Sequence, residues 1–360
     1  MPSKFPTDPV RFTTPFSTEH YSLIQVSKAV AADIRQSKTF VIRARPEDNI
    51  CFCTDTETYR AKEVETTDTL FVTNKIESRT DGESKEYKIK AYLQSFLELT
   101  KEEETPYLAL KELFKKYVHD GFEGGDVDMS EKITIDDLLE QVQFSEHEIY
   151  EGIKMLPIVE KDGFLTFLSR STRTKLLERL IDLIDDPDIR EVTFNRISFK
   201  TLRPYYDEIY SDSVINWIVR TYAYPDHSIN QKAVCRDRAI SFLEKNHEIS
   251  QMAFERKMIR LLPIGLEMDL TALSGIALFK DSIVHGTLID YVNVEDLPND
   301  PNERLNLLFK IKDSWTMEEF EPYVLDFCLN KTAVAPFLHK HCQQIREGSV
   351  KRFVKKDTDF

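Results

Sequence analysis

Chemistry at a protein surface needs polar side chains that converge, and few places in this 360-residue sequence bring such residues together along the chain. Two acidic pairs, Asp136-Asp137 and Asp185-Asp186, have the composition of a general acid–base couple. Successive side chains on a helix point in different directions, so neighbouring carboxylates do not address one substrate atom. Asp136-Asp137 falls instead where a helix N-terminus favours negative charge, and Asp185-Asp186-Pro187 follows a helical pattern and reads as its stop. His339, His341 and Cys342 sit close together, with Cys328 the nearest fourth zinc candidate. A structural zinc site takes four ligands, usually in two spaced pairs, and no Cys-x-x-Cys pair occurs. His341 lies on the apolar side of its helical pattern, which predicts a packed histidine. Cys51 and Cys53, two apart on a strand, share a face and are expected in a core. No phosphate-cradling glycine loop, zinc-protease helix or nucleophile elbow appears, and the chain has only 10 glycines. These residues predict no catalytic centre, no metal and no cofactor.

The basic residues carry more. Arg346, Lys351, Arg352, Lys355 and Lys356 cluster on or beside a C-terminal hairpin pattern, with Lys340 on the helix before it. The chain as a whole carries a formal charge of −14, so its average field repels phosphate and nucleic-acid contact has to come from such a local patch. DNA is the ligand this cluster fits; a solvated strand or a nuclear-import signal are the plainer readings. A second cluster, Arg170, Arg173 and Lys175 with Arg179 further on, flanks a helix start and is expected to face solvent.

The elements that position these residues change character near residue 100. Before it, runs rich in β-branched and aromatic residues at 21–26, 39–43, 50–54, 58–64 and 69–72 read as strands, with turn clusters at 46–49 and 55–57. One helix at 27–36, capped by Ser27, interrupts them. The polar stretches 75–90 and 101–104 read as a loop and a linker, and 121–130 as a flexible connector. A small, open barrel or sandwich with unpaired edges follows, and such edges call for a partner. After residue 100 apolar residues recur at helical spacing. A leading helix at 107–118, a helix start at Thr134 with Asp137, a capping box at Ser145 with Glu148, and a hairpin turning at Lys161-Asp162-Gly163 give the order of a winged helix. Residues 302–356 repeat that order, with a capping box at Thr316 and Glu319. Between them, helices at 173–184, 214–222, 232–243 and 251–262 and a hairpin at 276–294 make one elaborated winged helix or two plain ones.

Hydrophobic residues make up 41% of the chain, enough for sizeable cores, and no run approaches the ~18 apolar residues of a membrane span. The five cysteines are odd in number and irregular in spacing, and the N-terminus carries prolines and threonines rather than a leader. An intracellular chain with reduced thiols is expected.

Two stretches go beyond architecture. The segment Thr134-Ile135-Asp136-Asp137-Leu138-Leu139-Glu140-Gln141-Val142-Gln143-Phe144-Ser145-Glu146-His147-Glu148-Ile149 resembles the first winged-helix segment of the DCC family of sister chromatid cohesion proteins. Val294-Glu295-Asp296-Leu297-Pro298, then Glu303-Arg304, Leu308-Phe309, Trp315-Thr316, Pro322-Tyr323 and Asp326, is similar to that family's C-terminal block. Phe40-Val41-Ile42-Arg43 through Cys53 to Thr58-Tyr59 and Lys62 is a third, shorter likeness. The chain departs from the family pattern at Thr66-Thr67-Asp68 and lacks the family's run of consecutive arginines and lysines in the linker.

The resemblance implies a non-catalytic, nuclear subunit of an alternative replication-factor-C-like clamp loader, acting on the sliding clamp PCNA in replication and cohesion. It implies a β-region that combines with the large and small chromosome transmission fidelity subunits, winged helices that reach single- or double-stranded DNA, and docking on DNA polymerase epsilon; ATP hydrolysis belongs to other subunits. The expected fold is α+β: a small β-barrel domain (1–98), a first winged helix with its leading helix (99–169), a middle winged-helix region (170–297) and a C-terminal winged helix (298–360). Barrel strands expected to bind partners carry Phe40, Ile42, Ile50, Phe52, Leu70 and Val72. The rival readings are a winged-helix protein scaffold without DNA binding and a DNA-binding transcription regulator. The acidic helix after Ser145 argues against the latter, since it offers no base-reading side chains.

Overall fold

The β-branched runs at the front of the chain form one open, curled sheet in the computed structural model, which describes residues 10–14, 16, 20–36, 38–44, 50–73, 87–119, 132–284 and 286–356. Its strands are β1 (Val10–Phe12), β2 (Ile24–Gln25), β3 (Val41–Arg43), β4 (Cys51–Cys53), β5 (Thr58–Thr73) and β6 (Tyr87–Lys101). They run in the order β1-β6-β5-β4-β3, with β2 also on β6, so the sheet is a half-barrel that does not close. The two strands expected at 58–64 and 69–72 are a single strand. Its register with β6 slips between Glu65 and Leu70, and Thr66-Thr67-Asp68 fills the slip. A β-bulge of this kind bends a strand and sharpens its twist. Residues 87–90, expected in a polar loop, open β6 instead. Lys88 and Lys90 take the outward positions of a period-two pattern whose inward positions, Ile89 and Ala91, are buried. The turn at 46–49, the loop residues 75–86 and the connector at 121–130 lie outside the described residues.

Helix α1 (Lys28–Arg35) is capped by Ser27, which accepts from the Val30 N–H, and it lays Val30 against Phe52 and Tyr59. The other face of the sheet holds Cys51, Cys53, Thr58 and Arg60 against residues Gln143–Glu148, which pack with the front of the chain as one compact unit. Thr58 Oγ1 donates to the Glu148 carboxylate at 2.6 Å and accepts from the Ser145 N–H at 2.7 Å; Cys51 Sγ donates to Gln143 Oε1 at 3.3 Å. Thr58 and Ser145 are fully buried, and the Ser145 hydroxyl also donates to the Glu148 carboxylate, at 2.6 Å, so these polar atoms are satisfied together.

The second compact unit contains Glu103–Val142 and Ile149–Phe360. It opens with α2 (Tyr107–Phe114), β7 (Val118–His119), α3 (Ile135–Gln141), the part of α4 (Glu146–Met155) from Ile149 on, β8 (Ile158–Lys161) and β9 (Phe164–Leu168). Asp162 and Gly163, at φ 53° and 80°, make the left-handed two-residue turn that the Asp-Gly pair predicts. Next come α5 (Arg170–Asp185), α6 (Phe199–Leu202), α7 (Asp212–Tyr222), α8 (Gln231–Leu243), β10 (Glu248–Ser250), α9 (Gln251–Met258), β11 (Ala277–Ser282) and β12 (Gly286–Tyr291). The chain ends with α10 (Pro301–Ile311), β13 (Ser314–Trp315), α11 (Met317–Val324), α12 (Val334–His341), β14 (Cys342–Glu347) and β15 (Val350–Lys355). Three small sheets result, ordered β7-β9-β8, β10-β12-β11 and β13-β15-β14. In each, the short leading strand pairs with the second strand of a hairpin; β10 and β13 do so antiparallel, β7 parallel. The middle region thus has one sheet with extra helices ahead of it, not two sheets.

Burial corrects the reading of Arg170 and Arg173. They do not face solvent: their side chains are 25% and 12% exposed and sit in a network of acidic partners. Arg173 pairs with Glu295 at 2.9 Å, and Arg170 with Asp296 at 2.7 Å and Glu244 at 2.8 Å. Burial alone would raise the Glu295 pKa, but Arg173, with Arg170 and Lys111 beyond it, outweighs burial and brings it to about 2. Arg304 is wholly buried. It donates to the carbonyls of Pro298 (2.7 Å) and Tyr323 (2.9 Å), pairs with Asp326 at 2.5 Å, and lies 4.2 Å over the Phe327 ring. Gly275, at φ +74°, comes so close to α11 that a Cβ there would meet Pro322 at 3.1 Å.

The Glu295 pairing predicts an acid-sensitive stability. Its folded pKa lies below the ordinary value of 4.5, so its contribution is complete above about pH 4.5 and is lost as pH falls toward about 2. The difference in urea midpoint between the parent chain and Glu295→Gln is expected to shrink steadily across that window. A constant difference would mean that the carboxylate's ionisation does not stabilise the fold.

Candidate functional site

Two surfaces have the make-up of interaction sites. The first is the C-terminal hairpin. Opposed residues of an antiparallel ladder share a face, and the register sets Arg346 against Lys351 and Cys342 against Lys355, on the side of the hairpin that also carries Phe353. Phe353 is buried among Trp315 and Phe320, so it anchors the hairpin while the basic residues toward its tip stay exposed. Arg352 is on the other side and pairs with Glu347 at 2.7 Å. Lys356 folds back onto the end of α12, where its ammonium donates to the Lys340 carbonyl at 2.5 Å, a cation at a helix C-terminus. Of the six basic residues singled out, Lys340, Arg346, Lys351 and Lys355 are therefore exposed and outside any ion pair among the described residues, while Arg352 and Lys356 are engaged internally.

The second surface is the open sheet. Among the described residues β3 has a neighbour on one side only, and Val41 and Ile42 on it are exposed, Ile42 to 61%. At the opposite edge β1 pairs with Tyr87–Ile89 and β2 with Leu97 and Glu98, both parallel to β6, which leaves 90–96 without a strand on that side among the described residues. Beside that gap lie Phe12 (64% exposed), Phe16, Phe71 (53%) and Tyr92. Phe16 packs edge-on against Phe12 at 5.3 Å and stacks on Tyr92 at 6.0 Å, and Phe71 opposes Tyr92 in the ladder. Aromatic side chains left in water on a sheet edge mark a surface built for cover. The six barrel residues divide: Phe52 is core and Phe40 packs against it, Leu70 and Val72 are half-buried, and Ile42 and Ile50 are exposed. The aromatic group was missed because its members fall in separate short runs; its sequence signal is large aromatics at outward positions of an alternating strand.

The remaining candidates have structural placements. Asp137 closes a capping box with Thr134, and Asp185 accepts the Ile264 N–H at 2.9 Å. Cys51 and Cys53 are buried, with burial raising both thiols. His341 lies 4.6 Å from the Phe337 ring, and burial together with Lys340 and Lys356 lowers its pKa. Among the described residues no group of three or more His, Cys, Asp or Glu side chains is arranged to hold a metal ion, and no helix is long and apolar enough to cross a membrane.

A family model for "Sister chromatid cohesion protein Dcc1" matches residues 21–324, most of the chain. The chain belongs to that family. Sister chromatid cohesion protein DCC1 of Danio rerio is 24% identical over 351 residues, covering 93% of this chain and 89% of the relative; the Homo sapiens protein is 23% identical over 350 residues, covering 92% and 87%. A probable DCC1 from Dictyostelium discoideum is 22% identical over 345 residues, covering 88% and 89%. The stretches that carry the family likeness are mostly interior. Glu295 and Asp296 hold Arg173 and Arg170, Arg304 meets Asp326, and Trp315 stacks on Phe320 at 5.0 Å. They are the residues that join the elements of the second unit, and neither proposed interaction surface is built from them.

Exposure of the aromatic group predicts binding of a hydrophobic dye by the isolated chain. Phe71→Ser with Tyr92→Ser should cut 1-anilinonaphthalene-8-sulfonate fluorescence substantially while moving stability by less than about 0.5 kcal/mol, the usual effect of a surface change. A large loss of stability would instead place both rings in the core.

Proposed function

We propose that this chain is a non-catalytic adaptor of an alternative replication-factor-C-like clamp loader, working in the nucleus in PCNA loading or unloading, DNA replication and sister chromatid cohesion. Membership of the Dcc1 family supports the cohesion role. The observation that carries the adaptor reading is the open sheet: short edge strands and exposed aromatics suit completion by strands from other polypeptides, here the large and small chromosome transmission fidelity subunits. The three repeats of short strand, helices and hairpin suit winged helices, whose hairpins reach a phosphate backbone. Lys340, Arg346, Lys351 and Lys355 are the residues for that contact, and docking on DNA polymerase epsilon brings the loader to the fork. A linked adaptor of this kind raises local concentration and needs no chemistry of its own.

A second reading, a protein scaffold that does not touch DNA, draws on the internal engagement of Arg352 and Lys356. Two measurements separate the possibilities. Co-expression with the two partner subunits should yield a stoichiometric complex that Ile42→Asp or Phe71→Asp disrupts; a chain that stays alone in their presence removes the adaptor reading. With roughly four phosphate contacts, log affinity for a DNA duplex should fall against log salt with a slope near −3 to −4, and Arg346→Ala, Lys351→Ala and Lys355→Ala together should flatten it by roughly 2 to 3. An unchanged slope would leave the protein-only scaffold.

A further inference from the structure

A cavity of about 420 Å³ lies among α2, the end of α4, the start of α5, α7 and the turn at Val294–Asp296. Phe114, Leu156 and Trp217 back it from the core, and Phe167, Met155 and Val118 give it an accessible apolar lining, Met155 and Val118 being 69% and 45% exposed. Lys111, Lys115, Lys154, Arg170 and Arg173 also line it, five cations around one cavity of a chain whose net charge is −14.

The acidic side chains there are already engaged. Glu295 accepts from Arg173, Asp296 from Arg170, and Asp237 from the Tyr222 hydroxyl at 2.6 Å. What is left over is donor capacity. The Lys111 ammonium makes no hydrogen bond or ion pair among the described residues, and the Nε groups of Arg170 and Arg173 are buried without a partner. The two Nε groups have almost no accessible surface, so the unmatched donor within a ligand's reach is the half-buried Lys111. Lys115 and Lys154 are tied only to exposed neighbours on their own helices, Glu112 and Glu151, and such surface pairs exchange readily. Burial lowers the Lys111 pKa against the pull of Asp326 and Glu295, consistent with an ammonium short of counter-charge.

We propose that this cavity binds a short peptide segment of a partner protein, one that places an acidic side chain beside a large apolar one. The carboxylate meets Lys111 and the apolar side chain packs on Val118, Met155 and Phe167. A free anion has no use for that apolar lining, and an apolar anchor alone leaves Lys111 unmet. The lining that continues to Met155 and Val118 suits a ligand longer than a single group. This site does not rest on the reading of the sheet or of the C-terminal hairpin, and it stands if either fails.

The test is selection of random displayed peptides on the full chain, with removal of those that Lys111→Glu also retains. The Lys111-dependent set should be enriched in Asp or Glu next to Leu, Phe, Met or Trp. A synthetic member should shift the methyl resonance of Met155 and lose about tenfold in affinity on Lys111→Glu, as expected for one charge pair in a partly buried site. Lys111→Met keeps the packing and should also weaken binding, so the test survives if the charge reversal fails to fold. Selected peptides without acidic enrichment, or peptides indifferent to Lys111→Met, would overturn the proposal. Displacement of the peptide by millimolar inorganic phosphate or a short DNA duplex would overturn it too, by assigning the cavity to phosphate.

Discussion

Three arginines taken out of water hold the second unit of this protein together. Removing a guanidinium from water is costly, and the cost is recovered only when each N–H meets an acceptor in good geometry. Arg170 and Arg173 set their terminal nitrogens on Glu244, Glu295 and Asp296 and leave their Nε groups unmatched, and Arg304 finds Asp326 and the carbonyls of Pro298 and Tyr323 with one terminal nitrogen left over. The partners of Arg170 and Arg173 are far from them in sequence, Glu295 from Arg173 by 122 residues. The start of α5, the end of α8 and the turn before α10 therefore come to one place by ionic necessity, and the apolar clusters pack around that arrangement. Loss of one member strands a buried charge, at a cost of about 3–5 kcal/mol.

The front of the chain obeys the opposite rule. Its core is small: Val30, Phe52 and Tyr59 on one face, and on the other the polar group of Thr58, Ser145 and Glu148. Strands β5 and β6 run 16 and 15 residues, well past that core, and the far part of this ribbon displays Phe71 and Tyr92. Apolar surface left in water at a sheet edge is a liability for a protein that works alone. It becomes an asset in one that works in a complex, which is why the open sheet weighs more for function than any single residue. The basic hairpin at the other end is better anchored, with Phe353 in the core and its charges toward the tip.

The most specific part of the family likeness and the proposed sheet and hairpin surfaces are carried by different residues, although Val41 and Ile42 of the shorter likeness lie on the open sheet edge and Glu295 and Asp296 line the cavity. Glu295, Asp296, Arg304, Trp315, Tyr323 and Asp326 support the resemblance most specifically, and they form the interior joints described above. They say little about what the protein touches, since a side chain that has spent its hydrogen bonds inward has none to offer a ligand.

Local signals alone determined much of the architecture. The capping boxes at Thr134–Asp137 and Thr316–Glu319, the Asp162-Gly163 turn and the apolar spacing of α5, α7 and α11 are short-range effects, legible because each involves residues within a turn or two of one another. The basic composition of the last hairpin was equally plain. What depended on partners distant along the chain was not. The long strand β6 was hidden in its first turn-rich stretch by outward-facing lysines, the bulge at Thr66-Thr67-Asp68 merged two expected strands into one, and Arg170 and Arg173 gave no hint of acids more than seventy residues away. The division of the six basic residues into four exposed and two engaged likewise needed the register of β14 on β15 and the fold-back of Lys356. Charge is written in the sequence, but whether a charge meets water, a carboxylate or a carbonyl is decided only when tertiary packing sets its neighbours.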